Sequence, residues 1–140
     1  MIRSDGFRAL GRRECLRLPA RVPAGRVVCT RQALSAVLPV TFSLDPDASV
    51  VLCASASSDP VRAIDGVVVA FEADDFTDER RACWSVVVTG RAAVVTDAVE
   101  HARLLRYGPR SWLPLHDGVF VRIGAGMVTG RELTGVREPC

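Results

Sequence analysis

The sequence predicts a mainly β domain: six or seven short antiparallel strands that close, or nearly close, into a barrel, with a few short helices. Three observations lead there. Valine-rich runs at 67–71, 84–89 and 92–96 surround a polar excursion that holds Asp74, Asp75, Asp78, Glu79, Arg80 and Arg81. Turn residues recur between the apolar runs, and β-branched or aromatic runs so bounded read as strands. Helical spacing is confined to three short stretches.

Taken in order, residues 1–8 read as loosely ordered. Residues 8–18 place Leu10, Cys15, Leu16 and Leu18 near helical spacing, and Pro19 should stop that run. Pro23, Ala24 and Gly25 form a turn before a first strand over 26–30. A second strand covers 36–44 and a third 49–54, joined by Asp45-Pro46-Asp47-Ala48 into a hairpin. Residues 55–58 are small and polar. Asp59 can cap a short helix with Pro60 at its first position, ended by Gly66. The long hairpin 67–97 follows. Asp97 can cap a helix over 98–107, where Val99, Ala102, Leu104 and Leu105 form an apolar side and Gly108-Pro109 end it. A loop around Trp112 leads to two last strands, 118–123 and 127–133, split by a hairpin turn at Gly124-Ala125-Gly126. Residues 135–140 read as loosely ordered, and 1–140 as one domain.

Composition narrows the function classes. Nearly half of the 140 residues are hydrophobic (49%), which suits a packed core rather than disorder. The net charge of +2 argues against nucleic acid as main partner. No apolar run approaches the ~20 residues that cross a bilayer, so a membrane partner is not expected. The first residues carry charge without an apolar stretch, unlike a secretory signal. All 18 basic residues are arginine. Without lysine a Schiff base is impossible, and a phosphate must be held by arginine, hydroxyls or backbone N–H groups. The five cysteines (15, 29, 53, 83 and 140) show no Cys-x-x-Cys spacing and are odd in number. A zinc site or disulfide framework is not expected, and a reducing cytoplasm fits best.

Four separated pieces of sequence are similar to one known family. They are Gly25-Arg26-Val27-Val28 with Leu38-Pro39-Val40-Thr41-Phe42; the hydroxyl-rich stretch 55–58; the wording VAFEADDF…WSVVVTGRA between Val69 and Ala92; and Ser111-Trp112 with Val121-Arg122-Ile123 and Val128-Thr129-Gly130-Arg131-Glu132-Leu133. Their order and spacing over 25–133 resemble short members of the flavin-binding split-barrel family related to pyridoxamine 5′-phosphate oxidase. The resemblance implies a six- to seven-stranded split β-barrel, a homodimer, and FMN in a cleft between subunits, with a deazaflavin in some members. It implies that Ser55, Ser57, Ser58 and Arg62 anchor a phosphate, which suits hydroxyls and a two-pronged arginine. It implies that Pro39, Val40 and Thr41 run beside the ring, that Trp84 and Ser85 open the strand bordering the cleft, and that Trp112 approaches from the partner subunit. It names no obligatory acid or base.

The chain departs from the family at two places. Threonine stands at Thr41 where many relatives carry asparagine. Ser58-Asp59-Pro60-Val61 lacks the lysine that relatives often carry there, and Asp59 adds a negative charge beside the expected phosphate. Arg62 is the cation available to compensate. The functional expectation is a small FMN-dependent oxidoreductase acting on a small molecule. The alternatives are a deazaflavin-dependent reductase, a non-catalytic flavin-binding protein, and a cofactor-free split-barrel partner protein. The acidic run from Glu72 to Glu79 reads as a solvated hairpin end, and its spacing fits no EF-hand. His101 reads as a surface residue. His116 is a loop histidine that could donate a proton near the cleft if Trp112 lines it. No metal site is expected.

Overall fold

The computed structural model describes residues 7–77, 82–111 and 115–133. The elements follow as β1 (Phe7–Ala9), α1 (Arg12–Arg17) with a 3-10 turn (Leu18–Arg21), β2 (Ala24–Arg31), β3 (Leu34–Leu44), β4 (Val50–Ser55), α2 (Asp59–Ile64), β5 (Val68–Thr77), β6 (Ala82–Val94), α3 (Ala98–Tyr107), β7 (Gly118–Ile123) and β8 (Met127–Leu133). All pairings are antiparallel, in the order β1-β8-β6-β5-β2-β3-β4-β7. A further β6–β7 pairing closes six of the strands, β6-β5-β2-β3-β4-β7, into a barrel. The mainly β, closed-barrel prediction holds, and β8 and β1 extend the sheet beyond the ring.

Period-two alternation fills the barrel. Val27 and Cys29 from β2, Val69, Phe71 and Ala73 from β5, and Trp84, Val86 and Val88 from β6 are buried in one apolar cluster with Leu52, Val121 and Ile123. On β4, by contrast, Val50, Val51 and Leu52 are buried in succession. That strand is covered on both faces: Val51 packs with Leu104 of α3 and Phe120 of β7 in a second, smaller cluster. An ion-pair network locks α3 in place. Arg103 grips Asp45 with two donors at 3.2 and 2.6 Å, and Arg122 of β7 reaches Asp45 at 2.7 Å.

β6 is the strand that makes closure possible. Over Trp84–Thr89 one of its edges carries β8, and over Ala92–Val94 that edge carries β7. β5 runs along the other edge from Arg91 to Ala82. β7 and β8 therefore lie end to end along β6 and are not paired with each other. The expected hairpin at Gly124-Ala125-Gly126 is instead a short link that keeps to the same edge of β6 and passes close against Gly90. A Cβ at Gly90 would stand 1.7 Å from the Gly124 carbonyl oxygen. The turn residues were legible, but two strands sharing one edge of a third leave no local signature.

Other boundaries differ for local reasons. Phe7 and Arg8, expected to be loose, and Ala9, expected within the first helix, pair with β8 through Phe7↔Leu133, Arg8↔Glu132 and Ala9↔Arg131. α1 accordingly starts at Arg12 rather than at residue 8. Pro19 does not stop the chain from coiling, because it sits in the first turn of the 3-10 segment, where its missing N–H needs no partner. Ser58, not Asp59, caps α2: its hydroxyl accepts from the Val61 N–H at 3.4 Å. Asp97 caps α3 as expected, accepting from the Glu100 N–H at 3.0 Å. The expected β3–β4 hairpin is paired only from Phe42↔Leu52 to Leu44↔Val50. The longer hairpin is β2–β3, turned by Gln32 and Ala33 with φ of 50° and 63°. Two central residues at positive φ are the pattern that asparagine and glycine usually supply, so Gln-Ala gave no turn signal.

Two stability outcomes follow. Gly90→Ala should cost at least about 3 kcal/mol, because the obstructing atom is backbone and cannot rotate away. Gly124→Ala, whose Cβ meets nothing within 4 Å, should stay within about 1 kcal/mol of the parent. Urea midpoints of the pair read this directly. The double change Gln32→Asn and Ala33→Gly should raise stability by about 1 kcal/mol, by relieving two left-handed L-residues at the entropic cost of one glycine.

Candidate functional site

The site begins where a ladder stops. β3 and β4 pair only up to Phe42↔Leu52, and from there they diverge. β3 continues along β2 through Thr41, Val40, Pro39 and Leu38, whereas β4 continues along β7 through Cys53, Ala54 and Ser55. The wedge between them is a cleft of about 430 Å³. That is within the range of small-molecule sites. Val27, Leu52 and Val121 floor it from the barrel core, and Pro60, Val61 and Ile64 of α2 wall it off below Ser58. Among the described residues no charged side chain lines it. Among them, too, the β4-facing edge of β3 from Leu38 to Thr41 carries no strand partner, because β4 has already turned away.

Of the residues predicted for a cofactor, Pro39, Val40, Thr41, Ser55 and Ser58 meet at this cleft. Ser57 and Arg62 sit on the same loop and helix but do not line it. The Arg62 guanidinium turns back to donate to the Ser57 carbonyl at 2.9 Å, which tightens the loop. The Ser58 hydroxyl donates to the Ser55 carbonyl at 2.8 Å. Beside them stands Asp117. The Ser55 hydroxyl donates to its Oδ1 at 2.7 Å and the Ser57 N–H to its Oδ2 at 3.1 Å. These bonds, from Ser55 first and Ser57 second, hold its carboxyl below the usual carboxylate range. Asp117 was not singled out from the sequence. It comes beside the loop because Ser55 pairs with the next residue, Gly118, a register that brings Asp117 across 62 residues of chain and is invisible locally.

Trp84 and Ser85 are placed elsewhere. Trp84 points inward and is 4% exposed in the main core cluster, away from the cleft. Ser85, its neighbour, points to the opposite face of β6 and donates to Glu72 at 3.4 Å. Trp112 lies outside the described residues, as do Cys140 and the Asp78–Arg81 part of the polar excursion. Ser111 and Leu115 line the cleft. His116 is exposed, and His101 packs its ring 5.3 Å from Phe120 rather than standing free on the surface. Cys53, at the cleft, has its thiol pushed up by burial and is held as the neutral form. Among the described residues no cluster has the makings of a metal site.

The acidic run is more structured than a solvated hairpin end. Glu72 and Asp74 lie on the outer face of β5 and share one cation, Arg26, at 2.8 and 2.9 Å. Asp75 turns inward, is 8% exposed and accepts from the Thr77 hydroxyl at 2.9 Å. Partial burial, and then the neighbouring Asp74, raise Glu72 to about 7 against the pull of Arg26.

Residues 11–132 match the family described as pyridoxamine 5′-phosphate oxidase. The uncharacterized protein Rv0080 of Mycobacterium tuberculosis is 44% identical over 142 residues, spanning 93% of this chain and 88% of that protein. The FAD-binding protein of Mycobacterium smegmatis superposes with a TM-score of 0.78 at 30% identity, over 91% of this chain and all of the other. A provisional pyridoxamine 5′-phosphate oxidase of Corynebacterium glutamicum superposes with the same TM-score, 0.78, at 31% identity, over 92% and 99% of the two chains. No helix among the described residues is long and apolar enough to cross a membrane.

Glu72 yields a pH test. Its folded value, about 7, stands above the unfolded one, so the folded state holds the proton more tightly. Its contribution to stability is complete below ~4.3, the unfolded value, and is lost as pH rises through the folded value. Glu72→Gln should flatten the fall in stability between about pH 5 and pH 7.5 and leave the variant the more stable at pH 8. Denaturant midpoints across that range read the slope, and an unchanged slope would remove Glu72 as its source.

Proposed function

Because the chain belongs to the pyridoxamine 5′-phosphate oxidase family, we propose that it is a flavin-binding protein that seats a flavin ring in the wedge between β3 and β4. The single observation that carries this reading is the divergence of those strands. It creates a cleft lined, among the described residues, by uncharged side chains, with one backbone edge open at Leu38–Thr41. A flavin ring needs these two things: apolar faces, and backbone donors and acceptors along its polar edge. Leu38, Val40, Leu52 and Val61 supply the faces and exclude water, and the open edge supplies the polar groups. The flavin bound by the Mycobacterium smegmatis relative supports the same ligand class.

The bound flavin would supply hydride or electron transfer, which makes the protein an oxidoreductase acting on a small molecule. The chain's own residues bind and orient. The ring end of the cleft fits the group as folded. The phosphate end does not fit in the same way, because the donors of Ser55 and Ser57 are already paired with Asp117. FMN is the flavin proposed, in a homodimer whose second copy closes the open side of the cleft and brings Trp112 to the ring, in the cytoplasm. A deazaflavin is the other reading, since the ring end serves both.

The test is an absorbance spectrum of the purified protein after incubation with excess FMN and desalting. Bands near ~450 nm at about one flavin per subunit are expected. Thr41→Trp, which fills the wedge beside the open edge, should weaken binding at least tenfold while leaving the melting temperature unchanged. A colourless protein, or a tryptophan variant that binds as the parent does, would overturn the placement.

A further inference from the structure

The phosphate end of the cleft carries a contradiction that concerns one residue. The loop at 55–58 has the chemistry of an anion cradle, yet its donors are spoken for. The Ser55 hydroxyl and the Ser57 N–H each go to a different oxygen of Asp117, at 2.7 and 3.1 Å. The Ser57 hydroxyl lies 3.0 Å from that of Ser55, and the Ser58 hydroxyl is used within the loop. Arg62, the cation of this segment, spends a guanidinium N–H on the Ser57 carbonyl. Asp117 is also held by its backbone: its carbonyl accepts from the Ala56 N–H at 2.9 Å, and the next residue, Gly118, is in register with Ser55. An exposed aspartate fixed through both its carbonyl and its carboxylate is an element of the site, not a loose surface charge.

We infer that Asp117 is a specificity-determining residue: a built-in anion that takes the place of a phosphate, so that the cleft holds a flavin by its ring and gains no affinity from a phosphorylated tail at the Ser55–Ser58 end. The inference rests on the flavin reading for its ligand class, but not for the role of Asp117. An incoming phosphate has to take the donors from Asp117, and it leaves an ionised carboxylate beside its own charge. Like charges at contact distance repel even at an exposed position, and the phosphate gains no free donor in exchange. Asp59, exposed at the start of α2, adds a second negative charge nearby, against the one positive charge of Arg62. A neutral tail meets none of this, because the Asp117 contacts can stay as they are. The binding of phosphorylated and unphosphorylated forms of one ring system therefore separates the two cases.

The experiment uses the full chain and two variants, Asp117→Ala and Asp117→Asn, each checked for an unchanged melting temperature. FMN and riboflavin are titrated by quenching of flavin fluorescence. In a parallel titration, inorganic phosphate is followed through the Ser57 amide by nitrogen–proton correlation NMR. The parent should bind the two flavins within about threefold of each other, and its Ser57 amide should not respond to phosphate. Asp117→Ala should favour FMN at least tenfold over riboflavin, with a saturable phosphate shift at Ser57. Asp117→Asn, which keeps an acceptor oxygen but loses the charge, should fall between them. A parent that already prefers FMN tenfold, or an alanine variant with no gain and no phosphate response, would overturn the inference. If neither flavin binds any variant, the flavin reading of the cleft fails. The phosphate response at Ser57, present in the alanine variant and absent from the parent, then still decides the role of Asp117.

Discussion

The fold depends on an approach between two backbones. β6 pairs with β8 along its first half and with β7 along its last residues, and the chain that joins those two partners has to stay on one edge of β6 between them. It runs past Gly90, where the Gly124 carbonyl occupies the space of a missing side chain. Any side chain there would push this link outward and pull β7 away from Ala92–Val94. β7 is also the partner of β4 along its whole length. Loss of the close approach would thus free β4 and open the barrel on the side of the cleft. Two similar close approaches occur elsewhere in the sheet: Gly25 against the Phe71 ring and Gly130 against the Cys15 sulfur.

The cleft is a consequence of that closure rather than an addition to it. β4 is bonded to β7 over six positions but to β3 over three, so it follows β7 and leaves β3 behind. The geometry that closes the ring opens the wedge. It also brings the loop before β7 against the loop after β4, which puts Asp117 beside Ser55 and Ser57. The site's charge is therefore set by strand register. The second electrostatic feature, Glu72 and Asp74 around Arg26, lies on the outer face of the sheet and is independent of the cleft.

Local chemistry made much of this legible. The alternating valine runs, the Asp97 cap with the α3 pattern, and the turn at Asp45–Ala48 all read correctly because each is settled within a few residues. The wording around Pro39–Thr41 and the serine loop pointed to the cleft itself, and five of the predicted residues meet there. What escaped was set at long range. The β2–β3 turn is imposed on Gln32 and Ala33 by the ladder on either side. β1 is too short to show a period and exists only because β8 offers an edge. Trp84 opens the strand that the resemblance places at the cleft border, and alternation with Val86 and Val88 turns its side chain into the core cluster. Asp117 carried no signal at all, since its role lies in a contact across 62 residues.

The pairing of Phe7 with Leu133 has a mechanical consequence. Residues 7 and 133 lie side by side at the same end of the β1–β8 ladder, so a load pulling them apart falls on its hydrogen bonds one pair at a time. The ladder peels instead of shearing, and it is only three residues long. Once β1 is free, the next resistance is α1, whose Cys15 is wedged beneath Gly130. The closed ring is reached only through the longer ladder that bonds β8 to β6 from Trp84 to Thr89. The molecule is therefore built to yield first at its margin under tension, with a weak outer ladder acting as a fuse ahead of the barrel and its cleft.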